Sequence, residues 1–144
     1  MFWYCVIYIL IFFTLSSSSF AFFGKKKAKP ILLLSSTNPQ VNKISNKPLE
    51  NSSVFKKNER IYFLVYTEQG FKSNYIKYQI IKQDDKAHIG GYSRIRNVTT
   101  RVKDKNTYVD YFVLKESGKY IIQIFDIENL QHWIALGEFR VQDE

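Results

Sequence analysis

From Glu59 onward the chain is a succession of short apolar and aromatic runs cut at regular intervals by turn residues. This spacing constrains the fold more than any other feature. The runs are ERIYFLVYT (59–67), NYIKYQIIK (74–82), YSRIRNV (92–98), TYVDYFVL (107–114), GKYIIQIFDI (118–127) and WIALGEFRV (133–141). EQGFKS, DDKAHIGG, KDKN, KESG and ENLQ separate them. β-Branched and aromatic residues suit a pleated, half-buried surface, and Gly, Asn, Asp and Ser supply the turns. No run carries a 3.6-residue stripe long enough for a helix of ten or more. Short strands with a turn signal every dozen residues or so predict an all-β protein, an antiparallel sandwich of about six or seven strands.

Cys5 is the only cysteine, so an exported form without it has no disulfide and no thiolate metal site. The sandwich must then stand on apolar packing, which is feasible for about 120 residues. Alternation assigns the faces. Trp133, Ala135, Gly137, Phe139 and Val141 are expected on one side of the last run, opposite Glu138 and Arg140. Tyr120, Ile122 and Ile124 form the inward set of 118–127, but Ile121, Phe125 and Ile127 leave its other side apolar. Phe112 and Leu114 likewise oppose Val109, Tyr111 and Val113, and IYFLVY is apolar on both sides. Such strands need cover on both faces. Either the apolar island ILLL (31–34) and its arm fold over one sheet, or a partner binds there.

Glu116-Ser117-Gly118-Lys119-Tyr120 resembles the D-x-G-x-Y element that precedes strand F in immunoglobulin-like sandwiches, where the tyrosine hydroxyl turns back onto upstream backbone. Tyr120 would be that corner residue. Ile122 stands where antibody domains have their second cysteine, and the putative third strand, 74–82, has no Trp. The resemblance is to the cysteine-free Ig-like domains of bacterial secreted and surface proteins, which close with a hairpin like QIFDIENLQHWIALGEFRV (123–141). It implies architecture and no activity.

The N-terminal part has its own character. Residues 2–15 carry no charge and are apolar but for Thr14. Ser19-Phe20-Ala21 places small side chains at −3 and −1 of a cut after Ala21, which predicts a signal peptide over 1–21 and a secreted or periplasmic protein. The alternative is an uncleaved membrane anchor over 2–23, long enough to span hydrocarbon, whose following lysines set topology. Residues 22–57 hold eight lysines and one acid, a net of +7. Residues 58–144 hold thirteen Lys and Arg against twelve Asp and Glu, a net of only +1. The basicity therefore belongs to a Lys/Ser/Asn-rich arm over 22–58, with one strand at 31–34, and the sandwich domain occupies 59–144. Lys25, Lys26, Lys27 and Lys29 suit a membrane surface or an anionic envelope polymer. A nearly neutral body argues against nucleic acid.

Chemistry-bearing residues are sparse. His88 and His132 lie in or beside loops, without metal-ligand spacing. Asp84-Asp85, Asp126 and Glu128 fit turn chemistry better than a calcium loop. These features predict neither catalytic residues nor a metal or cofactor, and a protein that is not an enzyme. Two binding readings remain, beside a third alternative, a small secreted enzyme with a dispersed site. One is docking to a protein partner, or self-association, through an apolar sheet face carrying Val109, Tyr111, Val113, Ile121 and Phe125. The other is a glycan or anionic polymer held by Trp133, Tyr92, Arg94 and Arg96. In that reading the two arginines and Tyr92 project from one face of a strand; an edge strand protected by charge is the competing account.

Overall fold

The computed structural model describes residues 29–39, 50–84 and 90–143. The expected signal segment, Lys25, Lys26, Lys27, Asp85 and His88 lie outside them, as does the side chain of His132. Eight strands follow in order: β1 (Ile31–Ser35), β2 (Val54–Lys56), β3 (Arg60–Tyr66), β4 (Tyr75–Gln83), β5 (Tyr92–Arg101), β6 (Thr107–Val113), β7 (Gly118–Asp126) and β8 (Asn129–Gln142). A three-stranded sheet has the order β1-β3-β6, and a five-stranded sheet the order β2-β8-β7-β4-β5. All pairings are antiparallel except β2 with β8. The result is the expected antiparallel sandwich, in which the chain crosses between sheets at β1–β2, β2–β3, β3–β4, β5–β6 and β6–β7.

The arm contributes more than expected. ILLL does not fold over a sheet; it extends one, pairing with β3 from Ile31↔Tyr66 to Ser35↔Tyr62. Its inward Leu32 and Leu34 reach across to β8, where the missing side chain of Gly137 makes room. A Cβ there would sit 2.9 Å from Leu32 Cδ2 and 3.6 Å from Leu34 Cδ1. Phe55 of β2 is equally part of the core. The sandwich therefore begins at Ile31, not Glu59, and the stretch 50–58 supplies an edge strand. Composition hid this, because a three-residue strand with one buried side chain leaves no pattern among Ser, Asn and Lys.

Inward side chains fill the space between the sheets as alternation dictates: Ile61, Phe63 and Val65 from β3, Ile76, Tyr78 and Ile80 from β4, Tyr120, Ile122 and Ile124 from β7. Aromatic rings link the layers. Phe63 of the small sheet meets Tyr78 of the large one edge-on at 4.9 Å, and Phe112 meets Phe139 at 5.7 Å. Phe139 also stacks on Tyr120 at 5.6 Å and takes Phe55 edge-on at 5.8 Å. Such pairs add about 0.5–1.5 kcal/mol each to the area they bury.

The tyrosine corner expected at Tyr120 is present: its hydroxyl donates to the Glu116 carbonyl at 2.8 Å. Gly118 makes the turn with φ +150, and a Cβ there would lie 2.9 Å from Lys82 Cε. Lys82 closes the corner by bridging Glu116 at 2.5 Å.

Truncating the ring shared by both sheets, Phe139→Ala, is expected to cost about 3–5 kcal/mol in denaturant unfolding. Tyr120→Phe removes only the corner hydrogen bond and is expected to cost about 1 kcal/mol.

Candidate functional site

The two outer faces of the sandwich differ in chemistry. On the five-stranded sheet, register places Lys77, Gln79 and Gln83 of β4, Lys119 and Gln123 of β7, and Glu138 and Arg140 of β8 outward. Gln79 donates to Gln123 at 2.6 Å, and apolar residues, the paired Ile81 and Ile121 and the exposed Leu136 among them, are interspersed with these polar and charged ones. This is an ordinary solvated face.

On the three-stranded sheet, Leu33, Leu64 and Val109 form one outward row across all three strands. Tyr62 and Tyr111 pair on one side of that row, with ring centroids 5.6 Å apart. Ile31 and Tyr66 pair on the other, and Val113 extends the patch beside Arg60. Arg60 lays its guanidinium 5.1 Å over the Tyr111 ring, so its charge rides on an aromatic rather than interrupting the patch. Ile31, Tyr111 and Val113 are 48%, 43% and 43% exposed. No outward position of β1, β3 or β6 holds a carboxylate.

The one acid of β6, Asp110, faces inward. Its Oδ2 accepts from the hydroxyls of Tyr78 at 2.8 Å and Tyr108 at 3.0 Å, and Oδ1 accepts from the Tyr111 N–H at 2.8 Å. Tyr78 comes from the opposite sheet, so this network ties the layers with polar contacts beside the aromatic ones. Arg96 sits 5.8 Å over the Tyr78 ring. Burial, reinforced by Asp110, drives the Tyr78 phenol well above its usual range. Burial likewise pushes Tyr108 up to about 12.

The expected docking face is thus divided. Val109, Tyr111 and Val113 do share one outer face, but Ile121 and Phe125 belong to the other sheet, and Phe125 is buried there. Alternation reports which residues share a side of one strand; it does not report which strands share a sheet. Tyr62, Leu64 and Tyr66, with Ile31 and Leu33, complete the patch instead. The double-sided greasiness of IYFLVY and the island ILLL were the signals for them.

The expected glycan set is also separated, by bulges. The β7–β8 turn at Ile127-Glu128 lacks the positive φ of the favoured two-residue hairpins. The ladder compensates with shifts at Ile124/Phe125 and Phe125/Asp126. Phe125 consequently pairs with Trp133 while Ile124 pairs with Ala135. Trp133 therefore leaves the face of Ala135, Gly137, Phe139 and Val141 and turns outward beside Phe125. In β5, the shift at Ile80/Ile81 sets Arg96 opposite core-facing Ile80 and Arg94 opposite outward Ile81. Arg94 and Arg96 thus face opposite sides. Tyr92 pairs with Gln83, six residues along β4 from Lys77, which is level with Phe125 and Trp133; that is about 20 Å at ~3.4 Å per residue. The four residues make no single site. β5 is an edge strand, and its arginines suit the protection of that edge.

Trp133, 55% exposed, borders a groove of about 490 Å³ at the end of the sandwich. Pro30, Phe71, Ile76 and Ile134 form its apolar wall. Thr67 also lines it, and the buried Thr67 Oγ1 has no partner among the described residues. Asp126, at its edge, accepts from Ser73 and from the Glu128 N–H, a turn-forming role. Among the described residues, no three His, Cys, Asp or Glu side chains are placed to share a metal ion.

No protein-family model matches the chain, and no curated protein matches it. Solved structures share its shape. The soluble domain of PmoD from Methylocystis sp. ATCC 49242 (Rockwell) is 13% identical with a TM-score of 0.50, over 78% of this chain and 90% of that one. The CARDB domain of the PF1109 protein from Pyrococcus furiosus, in complex with di-metal ions, is 16% identical with a TM-score of 0.40, over 80% and 94%. A superoxide reductase (neelaredoxin) from Ignicoccus hospitalis is 11% identical with a TM-score of 0.44, over 80% and 81%. At these identities the likeness is one of fold alone.

Asp110→Ala strands the buried Tyr78 hydroxyl and is expected to cost about 1–3 kcal/mol in chemical unfolding. Tyr78 and Tyr108 hold their protons to higher pH than an unfolded tyrosine, which titrates near pH 10. Their share of stability is therefore complete below about pH 10 and declines as pH rises toward 12 and beyond. Unfolding midpoints measured from about pH 8 to 12 are expected to fall only in the upper part of that range.

Proposed function

We propose that this protein is a non-catalytic binding module of the cell envelope or extracellular space, of the cysteine-free Ig-like kind, which docks through the outer face of its three-stranded sheet. The observation that carries the reading is the asymmetry between the faces. One outer surface intersperses its apolar side chains with acids and bases; the other is a contiguous patch of aliphatic and tyrosine side chains without a carboxylate. A soluble sandwich gains nothing by exposing such a patch, and contiguous apolar surface of this kind marks interaction sites. Export is the sequence's contribution, through the apolar start and the small residues around Ala21. The lysine-rich arm joins the domain at Ile31, an edge of the same patch.

Tyr111→Asp is expected to leave the unfolding midpoint within about 1 kcal/mol of wild type, since the ring is exposed. It is expected to move the protein from the envelope fraction to the soluble pool, whereas Tyr92→Asp on the other sheet is not. An unchanged distribution and an unchanged oligomer size for Tyr111→Asp would contradict the reading. Mass spectrometry of the mature N-terminus in the same fractions checks export.

A second reading is favoured by the groove beside Trp133: an exposed indole next to polar turn residues suits stacking on a sugar ring. It involves Trp133 without Tyr92, Arg94 or Arg96. Retention on a glycan or peptidoglycan matrix that is lost in Trp133→Ala and kept in Tyr92→Ala would support it. Retention equal in wild type and both variants would exclude it.

A further inference from the structure

We infer that Lys119 and Arg140, at one end of the otherwise solvated outer face of the five-stranded sheet, bind a doubly charged tetrahedral oxyanion: phosphate, or the terminal phosphate of a small ester. The site lies on the opposite layer from the docking face and does not depend on it.

The ladder is the first observation. Lys119 of β7 stands directly opposite Arg140 of β8. Among the described residues, theirs is the only cross-strand pair of either sheet in which both members are charged, and both charges are positive. Every other charged strand residue in these ladders faces a neutral one. Like charges directly opposite destabilise an antiparallel pair, whose Cβ atoms are about 5 Å apart. A local rule broken once in a fold that otherwise keeps it is the mark of a functional position.

No neighbouring acid relieves the pair. Asp143 is bridged to Lys57 at 2.5 Å and Glu116 to Lys82 at 2.5 Å, so both carboxylates are taken. Glu138 stands opposite Ile121, two residues along β8 from Arg140, which is about 7 Å. Among the described residues, Lys119, Arg140 and Glu138 make no ion pair.

Shape is the third observation. Two shallow depressions of about 390 and 360 Å³ flank the pair, and Lys119, Arg140 and Gln142 line both. Two cations and an amide thus stand on the ridge between them. Val54 and Ile121 add an apolar wall to the larger depression, where the carbon part of an ester can rest. Tyr92 borders the same depression from β5, two strands beyond β7 and about 10 Å away, so a ligand of this size leaves its ring uncovered.

Charge decides the ligand class. Two cations call for two negative charges. A phosphate ester carries them above its second pKa of about 6. The guanidinium fork takes two of its oxygens and the ammonium a third. A carboxylate brings one charge and leaves half of the repulsion in place.

The test is an amide NMR titration of the full 15N-labelled chain at fixed ionic strength, with inorganic phosphate, glycerol 3-phosphate and acetate as probes. Both phosphates are expected to give saturable shifts at 118–120 and 139–142 at neutral pH, and the tighter one tells a free phosphate site from an ester site. Half-saturation is expected to rise at least fivefold in Lys119→Gln and in Arg140→Gln. It is expected to stay within about twofold in Lys77→Gln, a cation on the same face but six residues, or about 20 Å, along the sheet. Both site side chains are exposed, and the same spectra report whether each variant is folded. Lowering the pH to about 5 removes the second charge of glycerol phosphate and is expected to weaken it at least threefold. Acetate binding as tightly as phosphate would overturn the dianion assignment. Affinity unchanged in both site variants, or shifts that never saturate and spread equally to Lys77, would overturn the site and leave an adventitious ion only.

Discussion

Everything in this fold depends on contact between three rings of one sheet and two of the other. Phe63 and Tyr108 against Tyr78, and Phe112 against Phe139, are points at which aromatic rings join the layers, and Tyr120 and Phe55 brace Phe139 from its own sheet. Antibody-type sandwiches place a disulfide between the sheets. Here the position that would hold its second sulfur is Ile122, fully buried in the core. Packing must then hold the two sheets without a covalent tie. The inward Asp110 adds a polar link from the small sheet to Tyr78 of the large one. That link also takes the only acid of β6 out of the outer face. The same arrangement that closes the core therefore leaves the surface above it without a carboxylate.

The strands and their inner faces were legible because the period-two pattern survives intact wherever burial is one-sided or the run is long. Tyr120, Ile122 and Ile124, or Phe112 and Leu114, are read correctly from alternation alone. The corner hydrogen bond was legible too, from five residues, because a glycine turn followed by tyrosine has few other uses. What failed was anything set by pairing rather than by period. β2 has a single buried side chain and no pattern to read. The bulges in β5 and β8 reverse the side on which Arg96 and Trp133 lie relative to their neighbours, and no residue type in those runs announces them. Above all, sequence alternation could not tell that Ile121 and Tyr111, each outward on its own strand, point away from each other on opposite layers, or that Phe125 is buried.

That last point sharpens the functional reading. The surplus of apolar residues noticed along the chain is found on both sheets: Ile31, Tyr111 and Val113 are exposed on the smaller one, and Val54, Tyr92, Ile95, Trp133 and Leu136 on the larger. What sets the smaller sheet apart is the carboxylate-free row of Leu33, Leu64 and Val109 flanked by Tyr62 and Tyr111, with an edge strand, β1, contributed by the arm. The larger sheet mixes exposed apolar residues with acids and bases, and the arginines of its β5 edge suit protection against pairing with other strands. The two outer faces therefore differ in charge: the larger sheet presents Lys77, Lys119, Glu138 and Arg140, the smaller only Arg60. In the docking reading proposed above, that difference gives the body an orientation relative to its partner.

The most direct test of that orientation compares Tyr111 with Tyr92, which are 43% and 45% exposed on opposite sheets. Hydroxyl-radical footprinting of the purified protein should label both to a similar degree. In intact cells or envelope fractions, the account predicts strong protection of Tyr111 and little of Tyr92. Equal labelling of the two tyrosines in both settings would contradict it.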